Sequence, residues 1–206
     1  MDILYATFGS GNCFKAHLAF RQLGIPYETR WIDVLKGETR TEAFLKINPA
    51  GTVPCLVTST GQTITESNAM LWHIAHGSEL FPAAPMEQTM AIQWMVFEQC
   101  KLEPFISPAR FFTTIVPEKY DEMREQIALW QEKGHDGLLR LDAHLADHPF
   151  MLGARYTLAD IALYGYVHVA EEGGFDMSRY PNVARWMDRV ATTDDYAPIL
   201  SFKAAA

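Results

Sequence analysis

The sequence predicts an α/β unit followed by an all-helical unit. Short apolar runs alternate with helical patterns in the first part of the chain, and the remainder carries helical patterns almost alone. The densest turn signals of the middle, Gly77, Pro82 and Pro85, fall between the two parts. The expected boundaries are residues 1–77 for the first unit, 78–86 for a linker and 87–206 for the second. With 49% hydrophobic residues among 206, the chain can fill such cores without disulfide staples.

In chain order, Asp2 to Ala6 reads as a strand, and Asn12 to Leu23 as a helix that Gly24 ends and Pro26 keeps from resuming. Tyr27 to Val34 is a second strand. A short helix from Thr41 to Lys46 stops before Asn48-Pro49, because the residue ahead of a proline avoids helical dihedrals. Pro54 to Thr58 and Thr63-Ile64, separated by Thr60-Gly61, make a hairpin, and a helix runs from Glu66 to about His76. Further on, Met90, Trp94 and Phe97, then Met123, Ile127 and Trp130, then Val183, Trp186, Met187 and Val190 follow helical spacing and mark core-facing stripes. Pro104 and Pro108 are expected to kink or end the long helix that starts near Glu87, and Gly134 and Gly137 to weaken the next one.

Charge and cysteines narrow the partners. A formal charge of −8 with 17 lysines and arginines offers no broad cationic face, which argues against nucleic acid and leaves room only for a local basic pocket. Cys13, Cys55 and Cys100 are odd in number and widely spaced, unlike a disulfide framework or the paired ligands of a zinc site. No metal is expected, and a reducing, cytoplasmic compartment is. No apolar stretch reaches ~18 residues and no basic-then-apolar leader is present, so neither a membrane span nor a secretory signal is expected.

Three stretches carry chemistry. In Phe8 to Cys13 a helix begins, so the positive end of its dipole faces whatever Ser10 touches, and the Ser10 hydroxyl can donate to an anion there. Ser10 also reads simply as a turn and cap residue. A nucleophilic serine with a histidine base is not expected, since His17 lies about two turns along on no shared face. Cys13 is the competing reactive group, its thiolate favoured by the helix end, against the alternative of a buried and inert thiol. Ser10 stands where a C-x-x-C pair would have its first cysteine, which excludes dithiol exchange within this stretch.

In Asn48 to Cys55, a cis Val53-Pro54 bond would leave an amide and a carbonyl for a peptide-like ligand. A trans proline at a strand edge is the commoner case, only about 5% of such bonds being cis. In Ile64 to Ala75, Glu66 or Ser67 occupies a helix cap whose first-turn N–H groups suit a carboxylate, unless the helix merely caps itself.

Taken in order and spacing, Ser10-Gly11-Asn12-Cys13, Asn48 to Pro54 and Glu66-Ser67-Asn68-Ala69 resemble the cytosolic glutathione S-transferases, of a bacterial type with a serine, theta- or phi-like active site. Tyr156 to Tyr166 adds a fourth match, a capping box with Thr157 as cap and Asp160 three residues on, so the resemblance covers almost the whole chain. It implies a thioredoxin-like first domain, an all-α helical bundle as the second, and glutathione as a co-substrate with no resident cofactor. Ser10 takes the place of the catalytic serine. Asn12 falls near the cysteine used by another bacterial class, which this chain lacks there, and is counted with the implied glutathione-binding residues. Val53, beside Pro54, is implied to pair its backbone with the cysteinyl part of glutathione, and Glu66 and Ser67 to hold the γ-glutamyl amine and carboxylate. Lys36, Arg40 and Thr52 are the candidates for the glycyl carboxylate.

Phe105, Arg110, Phe111 and Phe112, with Phe8 from the first domain, are the candidates for the pocket of a small hydrophobic electrophile, core packing being the competing role for the rings. Asp160 is expected to be a folding cap. Members of this family are usually homodimers, and the faces carrying Trp72 or Trp94 are candidates for that contact. The implied activity is conjugation of glutathione to small hydrophobic electrophiles, a detoxification chemistry. Two other readings stay open: glutathione-dependent reduction or thiol transfer through Cys13, and a non-catalytic glutathione- or partner-binding module.

Overall fold

In the computed structural model, residues 1–202 are described, and contacts divide them into two units: Met1–Ser78 with the chain from Asp194 onward, and Glu79–Thr193. The first unit is built on a four-stranded sheet of order β2-β1-β3-β4. Strand β1 (Asp2–Ala6) pairs in parallel with β2 (Tyr27–Trp31), in the register Asp2↔Tyr27 to Ala6↔Trp31. A parallel pair needs a crossover, and helix α1 (Gly11–Gln22) supplies it. Strand β3 (Cys55–Val57) runs antiparallel to β1, and β4 (Thr63–Ile64) antiparallel to β3. Helices α2 (Glu42–Ile47) and α3 (Ser67–Ala75) complete the unit. This is the thioredoxin-like arrangement that the resemblance implies.

Local chemistry sets most of the boundaries. α1 ends where Gly24, at φ +61°, lets its N–H reach Arg21 O and that of Ile25 reach Phe20 O, the paired bonds of a Schellman stop. β2 is shorter than the sequence suggests, because Asp33 Oδ1 accepts from the N–H groups of Leu35 and Lys36 and turns the chain there. β3 starts one residue late because Pro54 has no N–H for the ladder. α1 is buried nearly all round, with Phe14, Ala16, Leu18, Ala19 and Phe20 in the core.

The segment Asp194–Phe202 differs from the expectation that everything from 87 to 206 would lie in the helical unit. Asp195 O and Asp194 O accept from Arg21 and Gln22 of α1, and the Phe202 ring stacks on His17 at 4.6 Å. The start of the second unit also differs: within the expected 78–86 linker, Leu80 is buried and its carbonyl accepts from Leu158 N.

The second unit is helical: α4 (Pro85–Lys101), α5 (Glu103–Arg110), a π turn over Phe111–Ile115, α6 (Tyr120–Leu145), α7 (Leu158–Val167) and α8 (Pro181–Ala191). α4 stops before Pro104, which sits in the first turn of α5 where a missing N–H costs nothing. Pro108 is accommodated inside α5. Gly134 and Gly137 do not break α6. A Cβ on Gly137 would lie 2.4 Å from Lys101 O, and one on Gly134 2.5 Å from the Phe175 ring, so both glycines allow close helix approach. Trp94 and Phe97 are core as their spacing predicts, whereas Met90 is exposed beside Met86. Trp94 is therefore not available as an interface face, being packed edge-on against Phe97 inside this unit.

Every residue of α7 is buried, and its capping box forms as the sequence predicts. Asp160 accepts from Thr157 N, Met151 N and Trp186 Nε1, each at 2.9 Å. Burial pushes its carboxyl up to about 6 while these donors pull the other way. It joins three segments of the unit, which is a structural role.

Candidate active site

The first turn of α1 is the centre of the site. Ser10 is its N-cap, with extended backbone dihedrals, and its Oγ accepts from Cys13 N at 3.3 Å. Gly9 ahead of it has φ +74°, a conformation glycine adopts without penalty. A capping hydroxyl spends a lone pair on the helix N–H and still has its own proton to donate. Ser10 is half-buried, so that proton is available at a partly dry helix end, where the aligned peptide dipoles favour negative charge.

Cys13 is a buried free thiol. Its side chain is 1% exposed, Thr7 N points at its sulfur at 3.4 Å, and burial pushes its thiol up to about 11, against the smaller pull of Ser10. The neutral thiol is the form present near neutral pH. His17 gives no base for Ser10 either: Nδ1 is bonded to the Tyr27 hydroxyl at 2.7 Å, and burial lowers its pKa to about 4.

The start of α3 lies beside this turn. Ser67 Oγ donates to Asn12 Oδ1 at 3.0 Å, so the first turns of α1 and α3 are joined by a side-chain bond. Lys15, which the sequence does not single out, lies beneath them fully buried, its Nζ 3.0 Å from Asn12 Oδ1. The only hint in sequence is its spacing of three from Asn12, and a helical lysine ordinarily reads as solvated. Glu66 holds the cap position of α3 through its backbone and leaves its carboxylate exposed.

The Asn48–Pro54 loop is shaped by Asn48, which is fully buried. Its Nδ2 donates to Thr52 O at 2.8 Å and its Oδ1 accepts from Ala50 N at 3.0 Å. Thr52 is thus engaged by its carbonyl and, at 3.3 Å, by its hydroxyl oxygen. The Val53-Pro54 peptide is cis. The β1–β3 register closes at Tyr5↔Cys55, so Val53 lies just beyond the ladder. Arg40 reaches across the same loop to Ala50 O at 3.3 Å, over Gly51. Lys36 is exposed and paired with Asp33 at 3.0 Å.

The electrophile candidates separate. Phe8, 48% exposed, belongs to the first unit, and the other four to the second. Arg110 is a correction: it is 5% exposed and its Nε donates to Glu172 at 2.7 Å, a buried strut instead of a pocket wall. Phe105 packs at α6, its Cβ 3.3 Å from the position a Cβ on Gly134 would take. Phe111 and Phe112 meet edge to face at the π turn, and Phe112 stacks on Trp130 at 6.0 Å. They are half-buried, and π turns recur at functional sites.

A thioredoxin-like unit with a serine-capped first helix and a cis proline ahead of its third strand, followed in the chain by a helical unit, is the arrangement that the resemblance implies. Residues 9–76 match the family described as glutathione S-transferase, N-terminal domain, and residues 124–189 match the glutathione S-transferase C-terminal domain. The chain is similar to the crystal structure of a glutathione S-transferase from Pseudomonas fluorescens Pf-5, with 42% identity, 97% of this chain and 98% of that one covered, and a TM-score of 0.93. It is also similar to a possible glutathione S-transferase from Rhodopseudomonas palustris, with 40% identity, 97% and 98% covered and a TM-score of 0.94. A more distant glutathione transferase family member from Pseudomonas fluorescens Pf-5, crystallised with two glutathione bound, shares the fold at 23% identity and TM-score 0.80 over 94% of this chain and 89% of that one. The chain belongs to the glutathione S-transferase family, a family of transferases.

Proposed function

We propose that the first unit binds glutathione and that Ser10 stabilises its thiolate for attack on a small hydrophobic electrophile. The single observation that carries this is the geometry of Ser10: it caps α1 through an Oγ lone pair, which leaves the hydroxyl proton for a ligand at the positive end of the helix. A free thiol near pKa 8.5 is about 3% ionised at pH 7, and lowering it by about two units takes about 2.7 kcal/mol. A hydrogen bond to the anion contributes about 1.5–3 kcal/mol. The helix end adds about 0.3–2 kcal/mol. Together they suffice; neither is ample alone.

The remaining contacts follow the same reading. Val53, beyond the end of the ladder, pairs with the cysteinyl backbone. Ser67, Asn12 and the first turn of α3 receive the γ-glutamyl end, with Glu66 toward its amine. Lys36, Arg40 and Thr52 serve the glycyl end, with Arg40 the better placed because its guanidinium already lies over the loop. On the second unit, Phe111 and Phe112 are apolar surface for the electrophile. Conjugation of this kind is a detoxification chemistry, and three unpaired cysteines fit a reducing cytoplasm. A homodimer is supported by the exposed apolar side chains of α4, Met86, Met90, Ile92 and Val96.

The test is calorimetric titration with glutathione followed by turnover of a generic aryl halide. Binding with turnover is the expected result. Binding without turnover identifies a non-catalytic glutathione module, and no binding removes the reading. Burial of Cys13 speaks against thiol transfer through that sulfur.

A further inference from the structure

A lysine on a helix ordinarily snorkels its ammonium into water. Lys15 is fully buried instead, and burying a cation is tolerated only where hydrogen bonds replace its hydration. Its Nζ lies 3.0 Å from Asn12 Oδ1, 3.4 Å from Asn68 Oδ1 and 3.5 Å from Ser67 Oγ. Asn12 is one turn back on α1, while Ser67 and Asn68 open α3. One ammonium therefore touches the first turns of both helices that meet at the site.

The chemistry of an ammonium adds direction to that contact. It carries donors only, so each side chain it touches must turn an oxygen toward it. The Asn12 carboxamide has its oxygen held inward by Lys15 and by the Ser67 hydroxyl at 3.0 Å, which sends its NH2 group to the opposite side. A neutral residue at position 15 would remove the charged donor that holds that oxygen and weaken the orientation of the amide. The same cation also adds positive potential beneath the start of α3, where the helix dipole already favours an anion.

We propose that Lys15 is a positioning residue for the amino-acid end of glutathione: it turns the Asn12 amide so that its NH2 donates to the γ-glutamyl α-carboxylate, and it biases the start of α3 toward that carboxylate. The inference rests on the reading of the first unit as a glutathione site. Lys15 does not touch the ligand; it acts through Asn12 and Ser67.

The experiment compares calorimetric affinities of the full chain and its K15Q, K15R and N12D variants for two probes, glutathione and γ-aminobutyryl-cysteinyl-glycine, which lacks only the α-carboxylate. K15Q is expected to weaken glutathione about tenfold or more, the worth of one charge-assisted hydrogen bond. It should leave the affinity for the carboxylate-free probe unchanged, because the group that Lys15 serves is already gone. K15R, retaining charge and donors, should recover part of the loss. In turnover, KM for glutathione should rise while kcat holds.

N12D keeps an oxygen partner for Lys15 in case K15Q does not fold, and removes the NH2 donor. It too should weaken glutathione about tenfold and spare the other probe. Equal losses for both probes, or a K15Q or N12D that binds glutathione as the parent does, would overturn the inference. Failure of the parent itself to bind glutathione would instead remove the reading of the site, so the two failures are distinct.

Discussion

Ser10→Ala removes two things at once: the oxygen that accepts from Cys13 N at 3.3 Å and the proton that would donate to a bound thiolate. The lost cap lowers stability by about 1 kcal/mol. The lost donor acts on the thiol, where about 1.5–3 kcal/mol of preference for the anion amounts to about 1–2 pKa units. A bound thiol titrating near pH 6.5 in the parent would then titrate at about 7.6–8.7. The thiolate fraction at pH 6.5 falls from about half to roughly 1–7%, and the conjugation rate per bound glutathione falls about 7- to 80-fold, the deficit closing above about pH 9. Two companions separate cap from chemistry. Ser10→Asp keeps a strong capping acceptor but has no neutral hydroxyl, and Ser10→Thr keeps both. The assay is the pH profile of kcat with an aryl halide, together with the ultraviolet thiolate absorbance of bound glutathione and the thermal unfolding of each variant. The threonine variant should follow the parent, and the aspartate variant should match its stability while its bound thiol titrates at least as high as in the alanine variant. If the aspartate variant keeps the parent profile, or alanine costs stability without moving the thiol, Ser10 is a cap and nothing more.

Asp160→Ala leaves the N–H groups of Thr157, Met151 and Trp186 buried without their carboxylate acceptor; at about 1–3 kcal/mol each, the loss should total about 3–9 kcal/mol in urea unfolding, and a loss below about 1 kcal/mol contradicts the structural role. Cys13 and Cys55, both pushed up to about 11, should resist alkylation by iodoacetamide in the folded protein while exposed Cys100 reacts, as mass spectrometry of the digested chain would show. Acid should destabilise the chain through His17 and His168, whose folded pKa values are lowered by burial to about 4 from 6.5. The unfolded state binds their protons first, so this stability is complete above about pH 6.5 and is lost as pH falls toward about 4, at about 2 kcal/mol per histidine by pH 5. Asp160, whose carboxyl is raised, works in the opposite sense, holding its proton more tightly in the fold as pH falls. The informative comparison is therefore His17→Phe against the parent: the variant should lose less between pH 7 and 5 in denaturant midpoints, and an equal loss refutes the assignment.

What was legible in the sequence is what local chemistry decides. The Thr157–Asp160 box, the Gly24 stop, the Pro104 break and the alternation of strands and helices in the first unit all depend on residues within a turn of one another. What was not legible depends on distant packing. Lys15 looks like any solvated helical lysine until α3 brings Ser67 and Asn68 to its ammonium. Arg110 looks like a pocket cation until Glu172, far along the chain, claims it. Gly134 and Gly137 look like helix breakers until Phe175 and the end of α4 occupy the space a Cβ would need. The segment Asp194–Phe202 carries no signal of its own; Arg21, Gln22 and His17 on α1 decide where it lies.

At Ser10 the opposition between a capping residue and a functional one dissolves on inspection of its atoms. A hydroxyl has two acceptor sites and one proton. The cap uses an acceptor site and leaves the proton unspent. Asn12 and Ser67 repeat the pattern, since the bond that joins the two helices also turns the Asn12 amide. Structural hydrogen bonds at such a site are how its donors come to be oriented before a ligand arrives, which reduces the ordering cost of binding. A serine at a helix start is common; one whose cap bond spends only a lone pair can serve the helix and an anion together. The same reasoning explains why Cys13, two residues deeper in α1 than Asn12's neighbour Gly11, serves packing instead: its sulfur is turned toward Thr7 N and away from water, so the helix dipole that would favour a thiolate is outweighed by desolvation.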